Sequence, residues 1–209
     1  MGETPATLNE SEPQNRFFLS PLASVFLLIA SLAGMTASLG LLKTELHHLA
    51  DPTAALNCDI SILVGCSSSI LSPEAHLFLG LPNTAMGIGF YAVTIFVALL
   101  SLLKVGLPRL VWNLLAAGGT ASLALIVFFL WASIFKFQAL CPYCLVIWGA
   151  TFVVFSVLTT FAAAVCRRPQ VSSVGRPLHA NAWAVVVTLV LLTVIAVVLG
   201  MTDKIAMLL

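Results

Sequence analysis

The sequence predicts an all-α integral membrane protein crossing the bilayer five times, and three observations carry that prediction. The chain is 60% hydrophobic and only 8% charged, whereas soluble domains carry about 25% charged residues. Its mean hydropathy is +1.09. Its apolar residues also gather into five uncharged runs, each near the ~20 residues that span a bilayer as a helix. A net charge of +1, with no basic cluster or stripe, argues against nucleic acid as a partner. Little chain is left for a soluble catalytic domain, so any chemistry sits in or on the membrane.

Residues 1–16 are polar and hold Glu3, Glu10, Glu12, Pro5 and Pro13; such a stretch cannot bury a core and is expected to be a disordered tail. The rest, 17–209, reads as a single membrane domain. The first helix is expected over about 17–42, retained rather than cleaved, because the run is longer than a signal-peptide core and its flank is acidic. Within it Ala30, Gly34 and Ser38 recur every fourth residue, a stripe that lets another helix pack closely. Lys43 to Pro82 breaks the apolar pattern and is expected to be a long outer loop, a length that usually marks function. Inside it Ser72-Pro73-Glu74 has the form of a helix start, with Ser72 as N-cap and Pro73 in the first turn. Ala75 to Leu79 would follow as a short lid helix. The remaining spans are expected over about 83–103, 110–135, 141–165 and 182–201, with a polar linker through Arg176 before the last.

Six of the nine Lys/Arg residues, namely Arg16, Lys104, Arg109, Arg167, Arg168 and Arg176, fall on one side of this layout. Lys43, Lys136 and Lys204 fall on the other. The positive-inside rule then puts the N-terminus in the cytoplasm. The long loop, the start of the fourth helix and the C-terminus face outward, where thiols can be oxidised.

Four of the five cysteines meet on that outer side. Cys58 and Cys66 lie in the loop; Cys141-Pro-Tyr-Cys144 opens the fourth helix. Cys166 follows Cys144 by 22 residues, about 33 Å of helix at ~1.5 Å per residue, and so belongs to the cytoplasmic end as a spare thiol. A helix N-terminus favours the thiolate that thiol–disulfide exchange requires. Cys144, one turn deeper on the same face, would meet a lipid-soluble electron acceptor. Two other readings stay open. One has the four cysteines hold a single zinc, although the eight-residue step from Cys58 to Cys66 is too wide for a zinc knuckle. The other has them form two structural disulfides in a redox-inert scaffold or transporter, although a bridge closing one helical turn constrains little chain entropy.

The residues also carry a family likeness. Asn57-Cys58-Asp59, Cys66-Ser67, Ser72, Leu81-Pro82-Asn83-Thr84-Ala85-Met86-Gly87 with Phe90-Tyr91, and Cys141-Pro-Tyr-Cys144 with Trp148 together resemble the vitamin K epoxide reductase family, notably its bacterial, actinobacterial-type branch. The resemblance implies a four-helix bundle around a quinone, a fifth transmembrane helix, and a loop cysteine pair that passes electrons to the C-x-x-C pair. It also implies a multi-pass protein of the bacterial inner (plasma) membrane that reoxidises a DsbA-like thioredoxin-fold protein. Electrons would leave on menaquinone or ubiquinone. Many members carry a thioredoxin-like domain after the fifth helix; none follows here before Leu209, so a separate partner is expected.

By the same resemblance, Cys58 corresponds to the cysteine that forms the mixed disulfide with the partner, Cys66 to the one that attacks Cys141, and Cys144 to the quinone-proximal thiol. Asn83 corresponds to a residue that hydrogen-bonds a quinone carbonyl, with capping of the second helix as its alternative. Ser72 has the same ambiguity. Trp148 either walls the quinone or serves as packing or an interfacial anchor. No metal is expected. His76 reads as a solvated lid residue, and no proton donor stands out. The vertebrate relatives direct the same electrons to a quinone epoxide, which the cysteines alone do not distinguish.

Overall fold

The structure, a computed structural model, describes residues 16–51, 65–66, 72–76 and 82–202. Among these, five helices are long and apolar enough to cross a membrane, and the protein is an all-α multi-pass membrane protein.

The first helix, α1 (Pro21–Ala50), begins where Ser20 Oγ accepts from the Ala23 amide at 3.3 Å with Pro21 in the first turn. It runs eight residues beyond the expected end at Leu42. Polarity at Lys43, Glu45, His47 and His48 signals the membrane boundary, but none of these residues breaks a helix. The stop comes at Asp51, extended at φ −138° and ψ 93°, because the residue before a proline is driven out of the helical region. Arg16 and Phe17 also depart from expectation: they form a two-residue strand β1 paired antiparallel with β2 (Leu107–Pro108). The Trp112 indole donates to the Phe17 carbonyl at 3.2 Å, and the Arg109 guanidinium lies 4.9 Å above the Phe17 ring. The chain is thus pinned immediately before α1.

Helix α2 (Asn83–Leu102) leads through β2 to α3 (Arg109–Ala132), which ends in a π-helical turn, Ser133–Phe137, closed by Gln138 in the left-handed region at φ 51°. Helix α4 (Pro142–Ala164) follows with Cys141 as its N-cap residue and Pro142 at its first position. The expected polar linker after it contains a helix, α5 (Pro169–Ala180). Its apolar side packs on α4 so closely that a Cβ at Gly175 would stand 2.4 Å from the Ala163 carbonyl carbon. The His179 Nδ1 lies 3.1 Å from Thr160 Oγ1, and burial shifts this imidazole below its ordinary pKa. The last span, α6 (Ala182–Gly200), has no buried residue and lies against α4 and the π-helical turn.

Helix α4 is the axis of the bundle: α1, α3, α5 and α6 all pack on it, and α2 packs on α1. The Ala30, Gly34 and Ser38 stripe is buried, and its middle member explains the close packing. A Cβ on Gly34 would lie 2.2 Å from the Tyr91 ring of α2. One turn away Ser31 and Thr94 share a buried hydrogen bond of 2.8 Å, which satisfies two hydroxyls that hydrocarbon could not.

Candidate active site

Four helices enclose a cavity of about 730 Å³ whose wall draws on α1, α2, α3 and α4. That volume lies within the ~300–1,000 Å³ typical of small-molecule sites. Leu41, Met86, Phe90, Phe129 and Ile147 make the lining mostly apolar. Cys144, Asn83 and Trp148 all line it.

The C-x-x-C pair is positioned by the start of α4. Cys141, at the N-cap, is 4% exposed and Cys144 partly buried, and both are thiols. Pro142 enters the first turn without loss, since its missing N–H has no helical partner there anyway. The loop comes to this helix through backbone: the Gly65 amide donates to the Leu140 carbonyl at 3.2 Å. This places Cys66, fully enclosed and itself disulfide-bonded, with its sulfur 3.3 Å from Cys141 Sγ. Leu41 of α1 completes the apolar enclosure of the two sulfurs. Cys58 lies outside the described residues, as does the lid beyond His76. Cys166, just past the end of α4, is a thiol away from the other cysteines.

Asn83 is not the N-cap of α2. That position belongs to Pro82, and Asn83 begins the helix proper. Its Nδ2 donates to the Glu74 carbonyl at 2.6 Å, while its Oδ1 is buried with no hydrogen-bond partner among the described residues. Thr84 Oγ1 and Ser38 Oγ, on the same cavity wall, are likewise buried and unpartnered. Unmatched buried polar atoms cost roughly 1–3 kcal/mol each, so these three and Glu45 Oε1 on the same wall, two hydroxyls that can donate and two oxygens that accept, suit a ligand that is mostly hydrocarbon with oxygens that are carbonyls when oxidised and hydroxyls when reduced. A quinone has that character. Ser72, by contrast, is buried but does not line the cavity; its hydroxyl hydrogen-bonds the Glu74 carboxylate. Trp148 is 4% exposed and packs with Ile126 and Phe152, which makes it a wall of the cavity rather than an interfacial anchor. Tyr91 gives its O–H to the Ile147 carbonyl at 3.0 Å and lies 2.7 Å from Thr151 Oγ1, locking α2 to α4 behind Cys144.

The lid portion described is a 3₁₀ turn, Pro73–His76, and three helices hold it. Asn83 of α2 takes the Glu74 carbonyl. Lys136, on the π-helical turn after α3, donates to the Glu74 carboxylate. Glu45 of α1 meets His76, with Nε2 2.8 Å from Oε1; the separation is that of an ion pair, although its angle does not make a hydrogen bond and Oε1 has no other donor among the described residues. Glu45 and the partnering of His76 were hidden in the sequence, where both stood in a presumed loop. A signal was present nonetheless: Ser38, Leu41 and Glu45 follow one another at helical spacing and all line the cavity, the period continuing past the apparent end of α1.

The Lys136 hydrogen bond, followed by the backbone hydrogen bond at Glu74, holds the Glu74 carboxyl below its ordinary range. A pKa lower in the folded state stabilises the folded form fully above the unfolded value, 4.5, and that stability is lost as pH falls through the folded value. The lid clasp is therefore expected to hold at neutral pH and loosen in acid, read as mobility of a spin label on the turn. Lys136→Met should produce the same mobility at neutral pH.

A search of curated proteins found no significant match to this chain. The family model described as "Vitamin K epoxide reductase family" matches residues 25–159, a span that contains Cys66, the C-x-x-C pair and every residue that lines the cavity. The chain belongs to the vitamin K epoxide reductase family, membrane oxidoreductases that link quinone and disulfide chemistry.

Proposed function

We propose that this protein is a thiol:quinone oxidoreductase that reoxidises a separate DsbA-like thioredoxin-fold protein and so supports disulfide-bond formation outside the inner membrane. The observation that carries the reading is the 3.3 Å approach of Cys66 Sγ to Cys141 Sγ, at the head of a helix whose next turn carries Cys144 into the cavity wall. One disulfide and two thiols are thereby within exchange distance in a water-poor pocket.

The chain's part in the reaction follows from this placement. Cys58 is the entry point: Cys66 is fully enclosed, so a soluble partner's thiolate has to attack at the other sulfur of a Cys58–Cys66 bond. Cys66, released as thiolate, attacks Cys141 when Cys141 and Cys144 are bridged, and Cys144 leaves as thiolate. The first-turn N–H groups and the positive end of the α4 dipole stabilise negative charge on these sulfurs. The partner's second thiol resolves its mixed disulfide with Cys58 and the partner leaves oxidised; the freed Cys58 thiolate takes back Cys66, breaking the Cys66–Cys141 bond, and Cys141, released and protonated, closes again on Cys144 with loss of two electrons. A quinone, menaquinone or ubiquinone, supplies the two-electron acceptor when bound. Asn83, through its remaining amide N–H, and Thr84, through its hydroxyl, would donate to its carbonyl oxygens, Asn83 Oδ1 would accept from the quinol O–H, and Trp148 and Phe90 would bound its ring. The N-terminus lies in the cytoplasm, with six of the nine Lys/Arg residues on that side, and the cysteines face outward.

Purified protein in detergent, given a reduced thioredoxin-fold partner and a short-chain quinone, is expected to form quinol with multiple turnovers; no quinol formation overturns the reading. A preference for vitamin K epoxide over quinone in the same assay would redirect it to epoxide reduction. In cells, Cys66→Ser is expected to accumulate Cys58 as a mixed disulfide with the partner, visible as an adduct that dithiothreitol removes on a non-reducing gel. A redox-inert scaffold would form no such adduct.

A further inference from the structure

We propose that Glu45 is the proton donor of this cavity and that His76 reloads it from the outer aqueous phase, an inference that rests on the quinone-reductase reading above. The need arises from stoichiometry. Closing the Cys141–Cys144 bond from a thiol at Cys141 and a thiolate at Cys144 yields two electrons and one proton. Reduction of a quinone to a quinol consumes two electrons and two protons, so one proton has to reach the cavity from elsewhere.

Few groups can carry it. Among the described residues, the titratable side chains on the cavity wall are Cys144, Tyr91 and Glu45. The Tyr91 O–H is committed to the Ile147 carbonyl, and Cys144 is the electron donor. Glu45 remains. It is 4% exposed, it faces the cavity two turns above Ser38 on α1, and Oε1 is short of a hydrogen-bond donor. A buried carboxylate at the edge of the hydrocarbon is costly unless paired, and nothing in the helix packing calls for one; a leucine would fill the place between Leu41 and the lid.

The route to water is the ion pair. His76 Nε2 is 2.8 Å from Glu45 Oε1, and the two side chains differ in exposure, 36% for His76 and 5% for Glu45. One end of the pair is wet and the other lines the cavity. Imidazolium hands its proton to the carboxylate, the carboxyl delivers it inward, and the neutral imidazole takes another from outside. Among the described residues, the other titratable groups near the pair are Glu74 on the lid and the Lys136 that holds it, and His48 one turn further along α1; α2 presents the neutral Asn83 and Thr84 there.

The test uses the full chain in detergent, its cysteines reduced by dithiothreitol and then mixed with a short-chain ubiquinone or menaquinone analogue. Glu45→Gln, which keeps shape and removes the proton, is expected to slow single-turnover quinol formation by about 100-fold or more. Quenching of Trp148 fluorescence by the analogue should show unchanged binding. His76→Ala should slow quinol formation and recover speed when imidazole is added, which a purely structural role would not allow. Infrared difference spectra of the reaction should show a carboxyl band in the natural protein and in Glu45→Asp that Glu45→Gln lacks. A Glu45→Gln variant with the natural rate and pH profile overturns the relay, as does failure of imidazole to rescue His76→Ala with binding intact. If the natural protein itself forms no quinol, the oxidoreductase reading falls and takes the relay with it.

Discussion

Cys144→Ser is expected to abolish quinol formation, lowering the rate by more than about a thousandfold, the scale seen when a nucleophile that acts as part of a unit is removed. A hydroxyl is nearly the size of a thiol, but it can neither close a bridge to Cys141 nor give up electrons. Because Cys144 lines the cavity beside Trp148, quinone binding, followed by Trp148 quenching, should persist. Cys66 should still exchange with Cys141, whose sulfur is 3.3 Å away, so a Cys66–Cys141 bond is expected to accumulate in the variant and appear by mass spectrometry after alkylation. The pairing of lost turnover with a trapped inter-station bond separates Cys144 as the inner electron donor from a general collapse of the site. An undiminished rate would show that electrons leave through another sulfur.

Gly34→Val is expected to have the largest effect among changes that touch no cysteine. Its Cβ would have to occupy space 2.2 to 2.6 Å from three atoms of the Tyr91 ring, and that ring cannot swing aside without breaking its bonds to the Ile147 carbonyl and Thr151. Overpacking of this kind costs about 1–3 kcal/mol, and the lost Tyr91 hydrogen bonds add to it. The variant should melt several degrees lower in detergent and bind the quinone analogue more weakly, since Tyr91 forms part of the cavity wall. Gly34→Val combined with Tyr91→Ala should recover part of the melting temperature by making room for the new side chain. If Gly34→Val alone melts like the natural protein, the α1–α2 contact is looser than the geometry shows.

Five apolar runs, free of charge and each long enough to span a bilayer, determined the class of fold by themselves, because hydrocarbon admits a backbone only when its hydrogen bonds are satisfied within a helix. Local chemistry determined the start of α4 as well: a proline in the first turn needs no amide partner there, and two cysteines three apart share a helix face. The order and spacing of Asn57-Cys58-Asp59, Cys66-Ser67, Ser72, Leu81 to Gly87 with Phe90-Tyr91, and the C-x-x-C pair with Trp148 together suggested the family.

Tertiary structure decided what depends on residues distant in sequence. Polar residues near a span end look alike whether they continue the helix or leave it, so α1 was expected to stop at Leu42 and Glu45 passed for a loop acid. The helix in fact reaches Ala50 and carries Glu45 to the cavity mouth. Asn83 was equally suited to capping and to ligand contact from its local context; the Glu74 carbonyl, nine positions earlier, takes its amide and leaves Oδ1 unmatched. Ser72 had the same two readings, and it turned toward Glu74 rather than the cavity. The sulfur-to-sulfur approach of Cys66 and Cys141 joins positions 75 residues apart, beside the backbone bond from Gly65 to Leu140. Periodicity reports which face of a helix is apolar. Which group stands opposite that face is settled only when the helices pack, and the electron path across two cysteine stations and the acid beside it are both of that second kind.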